Sequence, residues 1–186
     1  MAVNLSARQL DQPDLLEVVE SAIREHQLDP TRLEIEITES ILMSDSPGSA
    51  RFFEGLRRLG VRLAIDDFGT GFSSMSYLLR FSVDRLKIDR CFIQDCCTDP
   101  SSGAVTGAII ALAHELKASV VAEGVENREQ MRFLEGAGCD QAQGFHICRP
   151  VPPEQIKSVS PRAWRILSKE ASCPSGPVSC VAESKE

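Results

Sequence analysis

Carboxylates recur at one kind of position in this sequence. Glu36 closes one apolar run, Asp66 and Asp67 close the next, Lys87 and Asp89 a third, and Glu123 a fourth. Asn4 stands near the end of an opening run, and Gln143 near the end of the last. Several carboxylates brought together repel, and some take up protons unless a cation offsets them. The candidate donors are all hard oxygens, without His or Cys, which favours Mg²⁺ or Mn²⁺ over zinc. Asp66 and Asp67 can serve two ions, Asp66 from the inside and Asp67 from the loop side, and two-ion sites suit in-line attack on phosphorus. Lys87 beside them can orient or stabilise a hydroxide, or can form a structural ion pair with a neighbouring acid. The segment DFGTGFSS that starts at Asp67 has Gly69 and Gly71, which permit positive φ and close backbone approach. It is not a P-loop, and no Lys follows it. It reads as an active-site loop or as a plain tight turn.

For these residues to meet, their strands must end at one place. The pattern predicts strands at residues 2–5, 33–37, 61–65, 83–88 and 119–122, and a last strand-like segment at 139–145. Helices alternate with them. Asp11 is expected to cap the first, with Pro13 in its first turn and an inward stripe of Leu15, Leu16, Val18, Val19, Ala22 and Ile23. The next runs from about Ser46, with Phe52, Phe53, Leu56 and Leu59 inward, and stops at Gly60. A short helix is expected around residues 75–79, and a long one carries Val105, Ile109, Leu112, Ala113 and Leu116. Asn127 and Gln130 form a capping box for the last, which Gly136 and Gly138 end.

Alternating strands and helices imply a parallel sheet. Glu34 and Glu36 share one face of their strand, opposite Leu33, Ile35 and Ile37. Arg62, Ala64 and Asp66 oppose Val61, Leu63 and Ile65, and Arg85, Lys87 and Asp89 oppose Leu86 and Ile88. An open doubly wound sheet would be apolar on both faces. One apolar and one polar face fit a barrel whose outer face meets helices and whose polar interior opens to an active-site mouth. The fold expected is therefore α/β, a partial TIM-like (β/α)₈ barrel. Six strands fall short of eight, and such barrels take about 250 residues. About the first two strands are expected to be missing, since the chain opens directly in a strand.

The chain has 186 residues and a net charge of −7, so it has no overall basic field to attract DNA or RNA duplexes. No apolar run approaches a membrane span, and the N-terminus lacks a signal-peptide layout, so a cytoplasmic location is expected. The seven cysteines show no CxxC pair and no zinc spacing, and they read as reduced thiols. Residues 1–158 form the expected domain. Residues 159–186 form a C-terminal tail, rich in Ser, Pro and Glu towards its end and expected to be disordered there.

The segments NLSARQL from Asn4, EIEITES from Glu34, IDDFGTGFSSMSYL from Ile65, DRLKIDRCFI from Asp84, VVAEGVENREQM from Val120 and GCDQAQGFHICRPV from Gly138 carry a specific resemblance. In this order, from Asn4 to about Val151, the chain resembles the EAL-domain family of cyclic di-GMP phosphodiesterases. The resemblance implies metal-dependent hydrolysis of cyclic di-GMP to linear pGpG. It implies metal ligands at Asn4, Glu36, Asp66, Asp67 and Glu123, with two Mg²⁺ or Mn²⁺ ions in a complete domain. Lys87 resembles the lysine that holds the attacking water, and Glu123 the acid that binds or activates at the second metal. Glu39 resembles the glutamate that anchors the loop after the double aspartate. Asp89, Glu126 and Gln143 match positions lining the site. Homodimerisation near that loop is a further implication.

One departure weighs against turnover. The Glu-Ala-Leu motif, followed by a substrate-contacting Arg, does not occur in the chain. Its Glu is a metal ligand in the family. Two alternatives follow: an inactive module that binds cyclic di-GMP or a partner, or an incomplete gene model. The opening MAVNLS is similar to the middle of a family strand, which is the ground for the latter.

Overall fold

The computed structural model describes residues 1–43, 47–71, 75–152 and 154–155. In chain order the elements are β1 (Ala2–Asn4), α1 (Ala7–Leu10), α2 (Leu15–Glu25), β2 (Glu34–Thr38), α3 (Glu39–Leu42), α4 (Pro47–Leu59) and β3 (Arg62–Phe68). There follow α5 (Met75–Phe81), β4 (Arg85–Ile88), α6 (Arg90–Gln94), α7 (Pro100–Glu115), β5 (Ser119–Ala122), α8 (Arg128–Ala137) and β6 (Gln141–Ala142). The strands form one six-stranded sheet in the order β1-β2-β3-β4-β5-β6. Every neighbouring pair is parallel. Strict sequence order with a helical crossover at each step is the arrangement of successive units in a β/α barrel. The sheet is that of a partial TIM-like barrel.

The outer strand faces carry the apolar residues that the alternation placed there. Ile37, Ile65, Leu86 and Ile88 are fully buried in one cluster with Leu56 of α4, Ile110 of α7 and Leu134 of α8. Phe52 and Phe53 join Leu56 on the inward side of α4. Gly60, at φ 81°, ends that helix, as Gly138, at φ 79°, ends α8. Asn127 and Gln130 form the expected capping box.

Several local expectations are corrected. Asp11 caps no helix start: it closes α1, which begins at a capping box made by Ser6 and Gln9. The Ser-x-x-Gln spacing captures an earlier turn, so α2 starts three residues after Asp11's neighbour Gln12, at Leu15. Val18 is not inward but 57% exposed, and α2 buries no residue completely. Val105 is likewise exposed, while Thr106 is fully buried with its hydroxyl donating to the Ser102 carbonyl at 2.9 Å. Asp99 caps the start of α7, with Pro100 in its first turn. Gly136 lies within α8, and Gly138 alone supplies the left-handed stop. The last strand is only Gln141–Ala142, because Gly144 and a turn follow at once. The expected helix start at Ser46, the loop residues Phe72, Ser73 and Ser74, and the tail from 159 lie outside the described residues.

Three short helices, α1, α3 and α6, directly follow strand ends and had no counterpart in the periodicity. Each holds too few residues to show a 3.6-residue stripe. They matter because they place Glu39 and Asp89 at strand-to-helix junctions beside the site.

Candidate active site

Strand β3 carries the irregularity on which the site depends. Its register against β4 shifts between Ile65 and Phe68. Within that shift lie Asp66 and Asp67, and Asp67 adopts φ 52°, which is rare without glycine. In regular pleating adjacent side chains point to opposite faces. A bulge re-aims them, and here one oxygen each of Asp66, Asp67 and Glu123 lie within 4.8 Å of one another. Glu123 follows β5 directly, its N–H donating to the Ile88 carbonyl at 3.1 Å.

Lys87 stands at the centre of this arrangement. Its Nζ lies 3.0 Å from Glu36 Oε2, 2.9 Å from Asp66 Oδ1 and 2.9 Å from Glu123 Oε1. Burial opposes the ammonium charge, but the attraction of Glu123, Asp66 and Glu36 outweighs it and holds the pKa above the ordinary 10.5. Lys87 is thus a charged ion-pair partner in this arrangement. Burial pushes the Glu123 carboxyl up; Lys87 pulls it back, while Asp66 and Glu36 add to the rise. Asp67 is also pushed up, first by burial, then by the Asp66 charge and a hydrogen bond with Asp89. Burial acts against Asp89 too, but hydrogen bonds from Cys91 and Asp67 leave it below the ordinary value.

A second polar layer lies deeper in the interior. Arg85 Nη1 donates to Glu34 Oε1 at 3.0 Å, and its Nε donates to Ser119 Oγ at 3.2 Å. Sequence reasoning did not pair these residues. The available signal was the matched spacing of Glu34 with Glu36 and of Arg85 with Lys87. Those residues stand on β2 and β4, which are not neighbours; β3 runs between them. Ala64 of β3 pairs in register with both Glu36 and Arg85 and is completely buried. A methyl group there leaves acids and bases free to meet across the intervening strand.

Glu39 lies buried at the start of α3, and its Oε2 accepts the N–H of Gly69 at 3.1 Å and of Gly71 at 3.3 Å. The carboxylate therefore ties the loop after the double aspartate to β2. The loop packs closely on this carboxylate: a Cβ at Gly71 would stand 2.9 Å from Glu39 Oε1. Asp89 caps α6, accepting from the Cys91 N–H at 2.8 Å. Asn4 is exposed and in register with Glu36, so the ladder sets it next to that carboxylate. Gln143 and Glu126 are exposed, and among the described residues neither side chain bonds to the carboxylates. Their backbones are fixed instead: Gln143 N–H donates to Ala122, and Glu126 N–H to Gln130 Oε1, both at 2.8 Å.

The donor set fits a hard divalent cation. Opposite ligand oxygens of one Mg²⁺ lie about 4 Å apart, so three oxygens already within 4.8 Å need only a small approach to share an ion. Excess negative charge beside a single ammonium favours such an ion.

Residues 1–150 match the EAL domain. The chain belongs to the EAL-domain family. Signaling protein YkoW of Bacillus subtilis is 48% identical over 157 residues, 84% of this chain and 20% of that protein. The bifunctional diguanylate cyclase/cyclic di-GMP phosphodiesterase MucR of Pseudomonas aeruginosa is 45% identical over 156 residues, 84% of this chain and 23% of its own length. The structure of the PaMucR phosphodiesterase in its c-di-GMP complex superposes with a TM-score of 0.79 and 45% identity, covering 83% of this chain and 62% of that one. Klebsiella pneumoniae BlrP1, in a manganese and cyclic di-GMP complex, matches with a TM-score of 0.72 and 32% identity over 77% of this chain and 37% of that one. The chain thus spans about a fifth of the length of the two curated relatives. No described helix is long and apolar enough to cross a membrane.

Proposed function

We propose that this EAL domain hydrolyses one phosphodiester of cyclic di-GMP to give linear pGpG, using Mg²⁺ or Mn²⁺. The observation that carries the reading is the convergence of Asp66, Asp67 and Glu123 beside Lys87 at the strand ends of an EAL fold. Asp66, Asp67 and Glu123 would hold the metal, with Glu36 and Asn4 as further ligands. A divalent ion there supplies positive charge for the phosphoryl oxygens and makes a water more acidic. Lys87, freed from one of its three carboxylates, donates a hydrogen bond that orients the attacking water. Glu123, 2.9 Å from the Lys87 ammonium, is the group suited to accept that water's proton. Water oxygen bonds to phosphorus, one ester P–O bond breaks, and the proton ends on the freed hydroxyl. Glu39 keeps the loop in place, and Asp89 orients Asp67. Gln143 and Glu126 stand at the rim as substrate contacts. A homodimer through the region after the double aspartate belongs to the same reading; Leu79 of α5, 71% exposed, offers an apolar contact there.

The test joins this chain to the first two β/α units of MucR, which restores a Glu-Ala-Leu motif. Chromatography should then show pGpG formed with Mg²⁺ or Mn²⁺ and not with EDTA. Glu123→Gln and Lys87→Ala should each lower the rate by about 100-fold or more, the scale of losing an acid–base or charge-stabilising group. Unchanged rates in both variants would refute the assigned roles. The second reading is binding without turnover. Calorimetric binding of cyclic di-GMP by a fusion that forms no pGpG would establish it instead.

A further inference from the structure

Cys96 and Cys97 occupy a tight turn between α6 and α7. The turn is closed by the Asp99 N–H donating to the Asp95 carbonyl at 2.8 Å and by the Thr98 N–H donating to the same oxygen at 3.0 Å. Their sulfurs lie 3.7 Å apart; Cys96 is buried and Cys97 is exposed. The Cys96 carbonyl packs so closely on α7 that a Cβ at Gly103 would stand 2.8 Å from it. The backbone of the turn is thus fixed, and on it the two thiols stand side by side.

Geometry decides what such a pair can bind. A disulfide needs Cα atoms about 4.4–6.8 Å apart, whereas adjacent Cα atoms across a trans peptide are about 3.8 Å apart. Oxidation to a bridge would therefore distort the turn. A linear two-coordinate soft ion, with sulfur bonds of about 2.3 Å, places its sulfurs about 4.6 Å apart, too wide for this pair. A pyramidal or tetrahedral centre with similar bonds holds two sulfurs about 3.3–3.8 Å apart, which matches the observed separation. Structural zinc needs four ligands, and no further soft donor stands in this turn. The centre that fits is pyramidal, soft, and brings its own third substituent.

We propose that Cys96 and Cys97 form a two-thiol site for a trivalent arsenical. With phenylarsine oxide, hydrated to its dihydroxy form, two As–O bonds break and two As–S bonds form. Each thiol proton leaves with a hydroxide as water, and no electrons are transferred. Burial, a hydrogen bond with Cys97 and the Cys97 charge push the Cys96 thiol up to about 12. A thiol kept protonated resists peroxide, and exchange that releases water does not require a standing thiolate. This site is independent of the phosphodiesterase reading.

The experiment titrates the full 186-residue chain with phenylarsine oxide and reads intact mass and free thiols. One adduct should form at one equivalent, with the loss of two titratable thiols. 2,3-Dimercaptopropanol should remove it, and excess 2-mercaptoethanol should not. Cys97→Ser, at an exposed position that leaves the fold intact, should weaken binding by roughly 100-fold, the order gained from a linked second donor. The triple variant Cys148→Ser, Cys173→Ser, Cys180→Ser should bind as the natural chain does. No adduct, an adduct of full strength in Cys97→Ser, or one lost in the triple variant would each overturn the proposal. Circular-dichroism melting of Cys97→Ser confirms that it folds.

Discussion

The two polar layers inside the sheet differ in how their charges balance. In the deeper layer one acid, Glu34, faces one base, Arg85, with Ser119 taking a second guanidinium N–H. In the layer above, Glu36, Asp66 and Glu123 all share Lys87, and Asp67 stands close by. The deeper layer is neutral and closed. The upper one keeps excess negative charge, and burial, with the neighbouring acids adding to it, raises the carboxyls of Glu123 and Asp67. Identical chemistry on the same strands thus serves structure in one place and leaves room for a cation two residues further on.

Removing the only base of the upper layer should have the largest effect. Lys87→Ala leaves Glu36 buried without its cation, and breaking a buried pair costs about 3–5 kcal/mol. Urea unfolding at neutral pH should show that loss. It should shrink on acidification, because the uncompensated carboxylates bind protons in the folded state. A loss that does not depend on pH would mean that packing, not charge, is what Lys87 supplies.

A divalent cation sharpens the same contrast. Mg²⁺ or Mn²⁺ should raise the thermal midpoint, with stabilisation near 2.7 kcal/mol at 100 times the dissociation constant. Asp66→Asn should abolish the rise. The sign of its pH dependence follows from the raised carboxyls. Without metal, Glu123 and Asp67 favour the folded state below their ordinary values of 4.5 and 3.8, and that contribution is lost as pH climbs through their raised folded values. Metal prefers the ionised acids, so the gap between Mg²⁺ and EDTA midpoints should widen as pH rises through this window. A gap that narrows would place the cation elsewhere.

Ala64→Leu tests the passage between the layers. Overpacking at this buried position costs about 1–3 kcal/mol, and it should also diminish the cation-induced shift. The smallest effect is expected from the double variant Glu34→Gln, Arg85→Met. Replacing both members of a closed pair should change stability by under about 1 kcal/mol and leave the cation shift intact. A lost shift would show that the layers are coupled.

How much of this was legible depended on the range of the signal. The parallel sheet and most helices could be read because their apolar residues repeat within one element. Glu36, Asp66, Asp67, Lys87 and Glu123 stood out as polar residues at strand ends. The bulge at Asp66 and Asp67 was not legible, since a register shift is a relation between β3 and β4. Arg85 with Glu34 was missed for the same reason: its partner lies two strands away. Capping misled at Asp11, which closes the short helix α1 instead of opening α2, because a four-residue helix leaves no periodic signal.

The sheet's strict sequence order also bears on time. Each strand pairs with the next one along the chain, but every pairing is parallel and closes over a helical crossover, so the sheet is built from non-local contacts that form slowly. The bond from Lys87 to Glu36 spans 51 residues and requires β2, β3 and β4 to be in place. The charges around Lys87 should therefore meet late, after the transition state for docking the central strands. Substitutions at Lys87 should then act on the unfolding limb of a chevron far more than on the folding limb. The site should then be the last part of the molecule to form and the first to be released.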